Sequence, residues 1–301
     1  MNIANSVVRL RAGRSELGIA PGIGGSIAYY RRIDGARVHD WLRPALPADL
    51  ASGNAGRLAC FPLVPYSNRI RAGRFDYRGR AIRLPLDRWP QAHALHGHGW
   101  RTPWNVVERM NRRLAIAYAH DADEWPFAYR ARQDYTLSED GLEVTLSVDN
   151  VGPDAMPVGL GLHPYFPRTA RCRLHAAVDA MWATDDEVMP TSLVRADPRL
   201  GSGDGLPLDE VALDNVFTGW HRQATIHWPE RDARLSIVAD TPLEFLVVYS
   251  PAGADFFCVE PVSHCTDAFN LAAHGRDDTG IRILDSGAGL SATVRFRPRL
   301  A

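Results

Sequence analysis

Lysine is absent. All 34 basic residues of this 301-residue chain are arginine. That excludes a lysine Schiff base, pyridoxal phosphate held on a lysine, and the lysine of a phosphate-binding loop. Cysteine is scarce: Cys60, Cys172, Cys258 and Cys265 show no CxxC spacing. Cys60 and Cys258 sit in apolar runs and read as small core residues. Cys265 follows His264 directly, which sets a thiol beside a base as a candidate nucleophile. The net charge of −1 creates no global field for nucleic acid or an acidic membrane. No run approaches the roughly 18 apolar residues of a membrane helix. The start, MNIANSVVRLRAGRSELG, lacks a signal-type apolar segment and sets Arg among its valines, so the expected location is cytoplasmic.

What is present is ordinary for a large folded core: 46% hydrophobic and 23% charged residues. Short apolar segments alternate with turns along the whole length. RFDYRGRAIRL reads as a hairpin around Arg-Gly, and residues 105–118 as another around Asn111. Residues 127–148 form a third around Glu-Asp-Gly, with clean alternation at Tyr129, Ala131, Gln133, Tyr135 and Leu137. Only residues 267–273 and parts of 44–53 suit short helices, and residues 201–210 read as a long loop. Strand signals every eight to twelve residues predict an all-β, mainly antiparallel sandwich or barrel. No linker, composition shift or repeat divides the chain, so one domain over residues 1–301 is expected.

Four places can carry chemistry. The run Phe256-Phe257-Cys258-Val259 ends at Glu260, and Pro261 is expected to stop the strand there. GLGLHPYF repeats the arrangement with His163 before Pro164. If those ends share a sheet face, a His and a Glu can move protons near neutral pH. Asn68-Arg69 follows an apolar run and offers amide and guanidinium donors for hydroxyl groups, or else begins an exposed strand with an ion-paired Arg. In HALHGHGW, His96 can donate to a sugar oxygen with Trp100 lining the wall, while the glycines let backbone approach a ligand. Its HxH core raises a metal reading, but the next acidic residue is Glu108, past Pro103 and Trp104. The plain alternative is a loop of water-exposed histidines.

Five motifs in this order, NRI (68–70), HGHGW (96–100), GLHPYF (161–166), LDNVF (213–217) and CVEP (258–261), together resemble the aldose 1-epimerase (galactose mutarotase) family over nearly the whole chain. The resemblance implies a large antiparallel β-supersandwich with very little helix. It implies Glu260 as general base toward the C1 hydroxyl and His163 as general acid toward the ring oxygen. His96 and Arg69 would hold sugar hydroxyls and the ring oxygen, and Asp214 would accept from hydroxyls, beside the Asn68 already read as a hydroxyl-binding candidate. No metal or organic cofactor is implied; the partner is a small-molecule sugar, and the oligomeric state has no signature. On these roles the rate falls at low pH as Glu260 is protonated and at high pH as His163 loses its proton.

The chain departs from typical galactose mutarotases in three places. Leu162-His163 stands where the family has Asn-His, Asn215-Val216 follows the aspartate in place of His-Cys, and the glutamate segment continues PVSHCTDAFN. These changes resemble an atypical bacterial branch, and they leave galactose, glucose, another aldose or a phosphorylated hexose open. Two other functions stay in view. A glycoside hydrolase or lyase would use Asp214 and Glu260 as paired carboxylates and leave His163 idle. A sugar sensor would keep the fold without the chemistry.

Overall fold

Alternation along residues 129–150 becomes an antiparallel hairpin in the computed structural model, which describes residues 7–86 and 92–300. Tyr129 pairs with Asn150 and Leu137 with Leu142. Every second residue from Tyr129 to Leu137 is buried, the pleat placing one face on the core. The Arg-Gly hairpin forms as the sequence predicts: Tyr77 pairs with Arg80, and Arg78 and Gly79 both have positive φ, the geometry of a type I′ turn. The hairpin around Asn111 forms too, with a bulge between Val106 and Glu108.

The strands assemble into an eleven-stranded and a nine-stranded sheet, with three two-stranded pieces beside them. Five strands of the larger sheet position the site: β1 (Cys60–Leu63), β2 (Gly161–Pro167), β3 (Leu213–Thr218), β4 (Phe245–Ser250) and β5 (Phe256–Val262). They lie side by side in the order β1-β2-β5-β4-β3, each antiparallel to its neighbour. Both faces of this sheet are covered. Leu162, Phe166, Leu246, Val248, Phe257 and Val259 join Tyr135, Val144 and Phe296 of the second sheet in the main core. Phe61, Leu63, Tyr165, Val247, Cys258 and Val262 form a second cluster on the opposite face. Two-sided burial explains why these strands read as continuous apolar runs. It also puts His163 and Glu260 on one face, since each lies two residues from a member of the second cluster.

The expectation that Pro164 and Pro261 end their strands is not met: β2 and β5 run through them. Their mutual pairing is recorded at Gly161↔Val262 and again from Tyr165↔Cys258 onward, with a gap between. Both prolines fall in that gap, so the two missing N–H donors share one opening in the ladder. Pairing on the outer sides, Pro164 with Cys60 and Pro261 with Leu246, carries each strand onward. The same register, carried across the gap, sets His163 opposite Glu260.

Among the described residues the α-helices are the two short ones the sequence allows, α1 (Pro47–Ser52) and α2 (Ala268–Ala273). The stretch 201–210 is less loop-like than expected, because Leu206–Pro207 pairs with the strand Arg173–Ala176. No helix among the described residues is long and apolar enough to cross a membrane. The reading of the chain's first six residues lies outside those described.

Candidate active site

His163 and Glu260 meet across the opened ladder. Nε2 of His163 lies 3.2 Å from Oε1 of Glu260, with both side chains almost wholly buried. Phe61 and Tyr165 both stack on the imidazole, at centroid distances of 4.3 and 4.8 Å, and their own rings lie 6.2 Å apart. The cause is register: Phe61 is the pairing partner of His163 on β1, and Tyr165 follows it by one pleat on β2. Burial disfavours charge on both groups. It pushes the Glu260 carboxyl well above its usual range, helped by Asp214 and opposed by Arg69. It pushes the His163 imidazole down to about 3. Glu260 Oε2 and His163 Nδ1 are buried and have no hydrogen-bond partner among the described residues.

Around this pair lies a pocket of about 340 Å³. Its lining includes every site residue expected from the sequence: Asn68, Arg69, His96, Trp100, His163, Asp214 and Glu260. Asn68 has φ +59, a left-handed conformation that Asn tolerates better than most residues. Its Oδ1 accepts from the Arg69 amide at 2.8 Å and from Arg69 Nη1 at 3.3 Å. Arg69 Nη2 reaches Asp214 Oδ2 on β3 at 3.3 Å. The alternative reading of Asn68-Arg69 is met in part: a strand does begin at Arg69 and the Arg is ion-paired, with Asp214, but the segment is not exposed, since Asn68 is buried and Arg69 half-buried.

The exposed-histidine reading of HALHGHGW fails as well: His93 and His96 are buried. The Asn68 amide donates to His96 Nδ1 at 2.9 Å, and burial lowers the pKa of this ring. A neutral His96 with Nδ1 as acceptor carries its proton on Nε2, so toward a ligand it is a donor. Trp100 stacks on Phe61 at 5.1 Å. The glycines of this motif serve backbone packing: a Cβ on Gly97 would stand 2.6 Å from the Val64 carbonyl oxygen.

Sequence reasoning missed Phe61, Tyr165, Val247, Tyr249, Asn54 and Arg57, which line the same pocket. The two-residue pleat could have found Tyr165 from His163. Phe61 and Tyr249 are placed by pairing with His163 and Asp214 from distant segments, which no local signal gives. Cys265 is not a nucleophile: it is buried, outside the pocket lining, and burial pushes its thiol up to about 12.

Two groups among the described residues bring three potential metal-binding atoms within 4.8 Å of one another: His98, His120 and Asp123, and His163, Cys258 and Glu260. In the first, the imidazoles stack nearly parallel at 4.5 Å and 12°, so their in-plane lone pairs do not converge on a point. His98 therefore turns toward His120, and the HxH pair of His96 and His98 does not act as one set. In the second, the imidazole and carboxyl already engage each other.

A sequence model of the aldose 1-epimerases matches residues 6–297. The uncharacterized protein YphB of Escherichia coli (strain K12) is 36% identical over 235 residues, 74% of this chain and 79% of that protein. A crystal structure of a candidate aldose 1-epimerase from Escherichia coli K12 has a TM-score of 0.86 at 29% identity, covering 98% of this chain and 99% of that one. A galactose mutarotase-like protein from Clostridium acetobutylicum has the same TM-score at 19% identity, covering 98% and 95% of the two chains, a likeness of fold. The sandwich is thus of the galactose mutarotase-like kind. Because the sequence match runs through both sheets and all five motifs, the chain belongs to the aldose 1-epimerase family.

Proposed function

We propose that this protein interconverts the α and β anomers of an aldose by general acid–base catalysis. The observation that carries the reading is the buried His163–Glu260 pair at 3.2 Å, on the wall of a pocket that hydroxyl-binding groups also line. Glu260 takes the proton of the C1 hydroxyl while His163 delivers one to the ring oxygen. The bond from C1 to the ring oxygen breaks, C1 becomes an aldehyde, and rotation about C1–C2 presents its other face. Closure returns both protons, so the pair ends as it began. Arg69, beside Glu260, favours the carboxylate form against the effect of burial. His96 Nε2–H and Arg69 donate to sugar oxygens, and Asp214 accepts from hydroxyls. Positioned proton transfer contributes ~10²–10⁴-fold, which suits a reaction that already proceeds slowly in water.

The test is polarimetry on fresh single-anomer sugars, neutral and phosphorylated. Glu260→Gln and His163→Asn should each lower kcat by ~10²–10⁴-fold with little loss of fold. The double variant should be no worse than about the poorer single one, because neither transfer is useful alone. A Glu260→Gln variant at the wild-type rate would falsify the mechanism and reopen the hydrolase and sensor readings. The chemistry uses no metal or organic cofactor, so activity should also survive exhaustive chelation; loss on EDTA with recovery on Zn²⁺ would contradict it.

A further inference from the structure

Residues 263–267 (Ser-His-Cys-Thr-Asp) follow β5, and none of them lines the pocket. All five are buried, yet two of them bind the backbone of residues 67–71, the segment that grips with Asn68 and Arg69. The Ser67 amide donates to His264 Nε2 at 3.1 Å. Nδ1 of the same ring lies 2.8 Å from the Cys265 carbonyl oxygen. A neutral imidazole protonated on Nδ1 satisfies both contacts, and burial favours that neutral form. Gly159 makes room for the ring, since a Cβ there would overlap it. Asp267 acts one step further along. Its backbone amide donates to the Arg69 carbonyl at 2.9 Å, and its Oδ1 accepts from the Arg71 amide at 2.9 Å. Asn270 of α2 donates to that same Oδ1 at 2.7 Å.

Three backbone groups spanning the turn, at Ser67, Arg69 and Arg71, are therefore held by two residues. Between them sits Asn68 with its left-handed φ of +59. We infer that His264 and Asp267 are positioning residues that hold the Asn68 turn, so that the Arg69 guanidinium is presented to Asp214 and to the sugar. The inference rests on the reading of the pocket as a sugar site. Neither side chain touches the reacting atoms; both act through Arg69.

The experiment compares four variants with Arg69→Ala. His264→Ala and Asp267→Ala should raise KM about tenfold, the order expected when a buried amide loses its acceptor. Their kcat should stay within about threefold of wild type, since uniform binding is what is lost. His264→Gln and Asp267→Asn keep an oxygen acceptor and should return KM to within about threefold. Combining either alanine change with Arg69→Ala should add little. Hydrogen–deuterium exchange at the amides of Ser67 and Arg71, measured without sugar, should be faster in the alanine variants and near wild type in the rescued ones. Alanine variants that moved neither KM nor exchange would overturn the inference. So would a fall in kcat and melting temperature that Gln and Asn did not rescue, which marks plain core residues. If the wild-type protein turned over no aldose, the exchange measurement would still decide the clamp, and only the proposed activity would fall.

Discussion

A buried carboxyl and a buried imidazole in contact titrate as a pair. With their free values, near 4.3 for Glu and 6.5 for His, a window of roughly two pH units would separate the ionisations. Burial changes which group sets which edge. Glu260 is pushed up, so it keeps its proton until well above the usual carboxylate range. His163 is pushed down by burial, so it gains a proton only well below the usual imidazole range. The pair holds one shared proton throughout that interval. Carboxyl to imidazole transfer within the pair leaves its total charge unchanged, so the working carboxylate–imidazolium form belongs to the same state. The acid edge of activity is therefore protonation of His163 and the alkaline edge is deprotonation of Glu260, the reverse of the order expected for exposed side chains. The expected profile of kcat/KM is a plateau wider than about two pH units. Polarimetry corrected for buffer-catalysed mutarotation checks this; a narrow bell centred between the free values would contradict it. At this scale the sequence was informative. Polar residues closing apolar runs marked His163, Glu260, Asn68 and Arg69, because buried polar groups are rare without a partner or a task. Phe61 and Tyr249 stayed hidden because a Phe or Tyr in a strand looks the same in a core and in a pocket wall.

Among elements, the turn carrying His96 shows how backbone conformation sets the site. His96 and Gly97 both have positive φ, at +60 and +67. The His96 amide donates to the Asn68 carbonyl while its ring accepts from the Asn68 amide, so the two turns are cross-tied. Gly97→Ala would add left-handed strain and push a Cβ against the Val64 carbonyl and Pro65, which are backbone and ring atoms with little freedom to move. Such strain costs about 1–3 kcal/mol, so the denaturation midpoint should fall measurably. KM should rise at the same time, because the displaced turn carries His96. An unchanged midpoint and KM would show that the turn is pliable. The prolines teach a related lesson. Their positions were legible, but their effect was not. Whether a missing N–H ends a strand depends on what the neighbouring strand offers there, and that is a non-local fact. Here two prolines face one gap, and the gap is where His163 and Glu260 meet.

At the scale of the molecule, the turn rhythm announced a large antiparallel sandwich, but it could not say which strands are neighbours. The chain returns to itself from far away. β2, near the middle of the sequence, lies between β1 from the first quarter and β5 from the last. The strand Gly289–Leu300, the last in the sequence, sits inside the second sheet, between Leu142–Asn150 and Ala233–Ala239. Its residues Val294 and Phe296 are buried in the core shared with the first sheet. No cut therefore leaves two fragments that each own a complete sheet. We expect one cooperative unit, with denaturation followed by circular dichroism and by tryptophan fluorescence giving coincident transitions. Deleting residues 289–300 removes a twelve-residue strand with neighbours on both sides, and it exposes two unpaired edges in the middle of a sheet. That loss should abolish folding of the whole chain, the His163–Glu260 site included, although the strand contributes no residue to the pocket. A soluble deletion variant that kept a cooperative transition, or limited proteolysis that released two stable halves, would show that the sheets fold independently and that the shared core does not bind them into one domain.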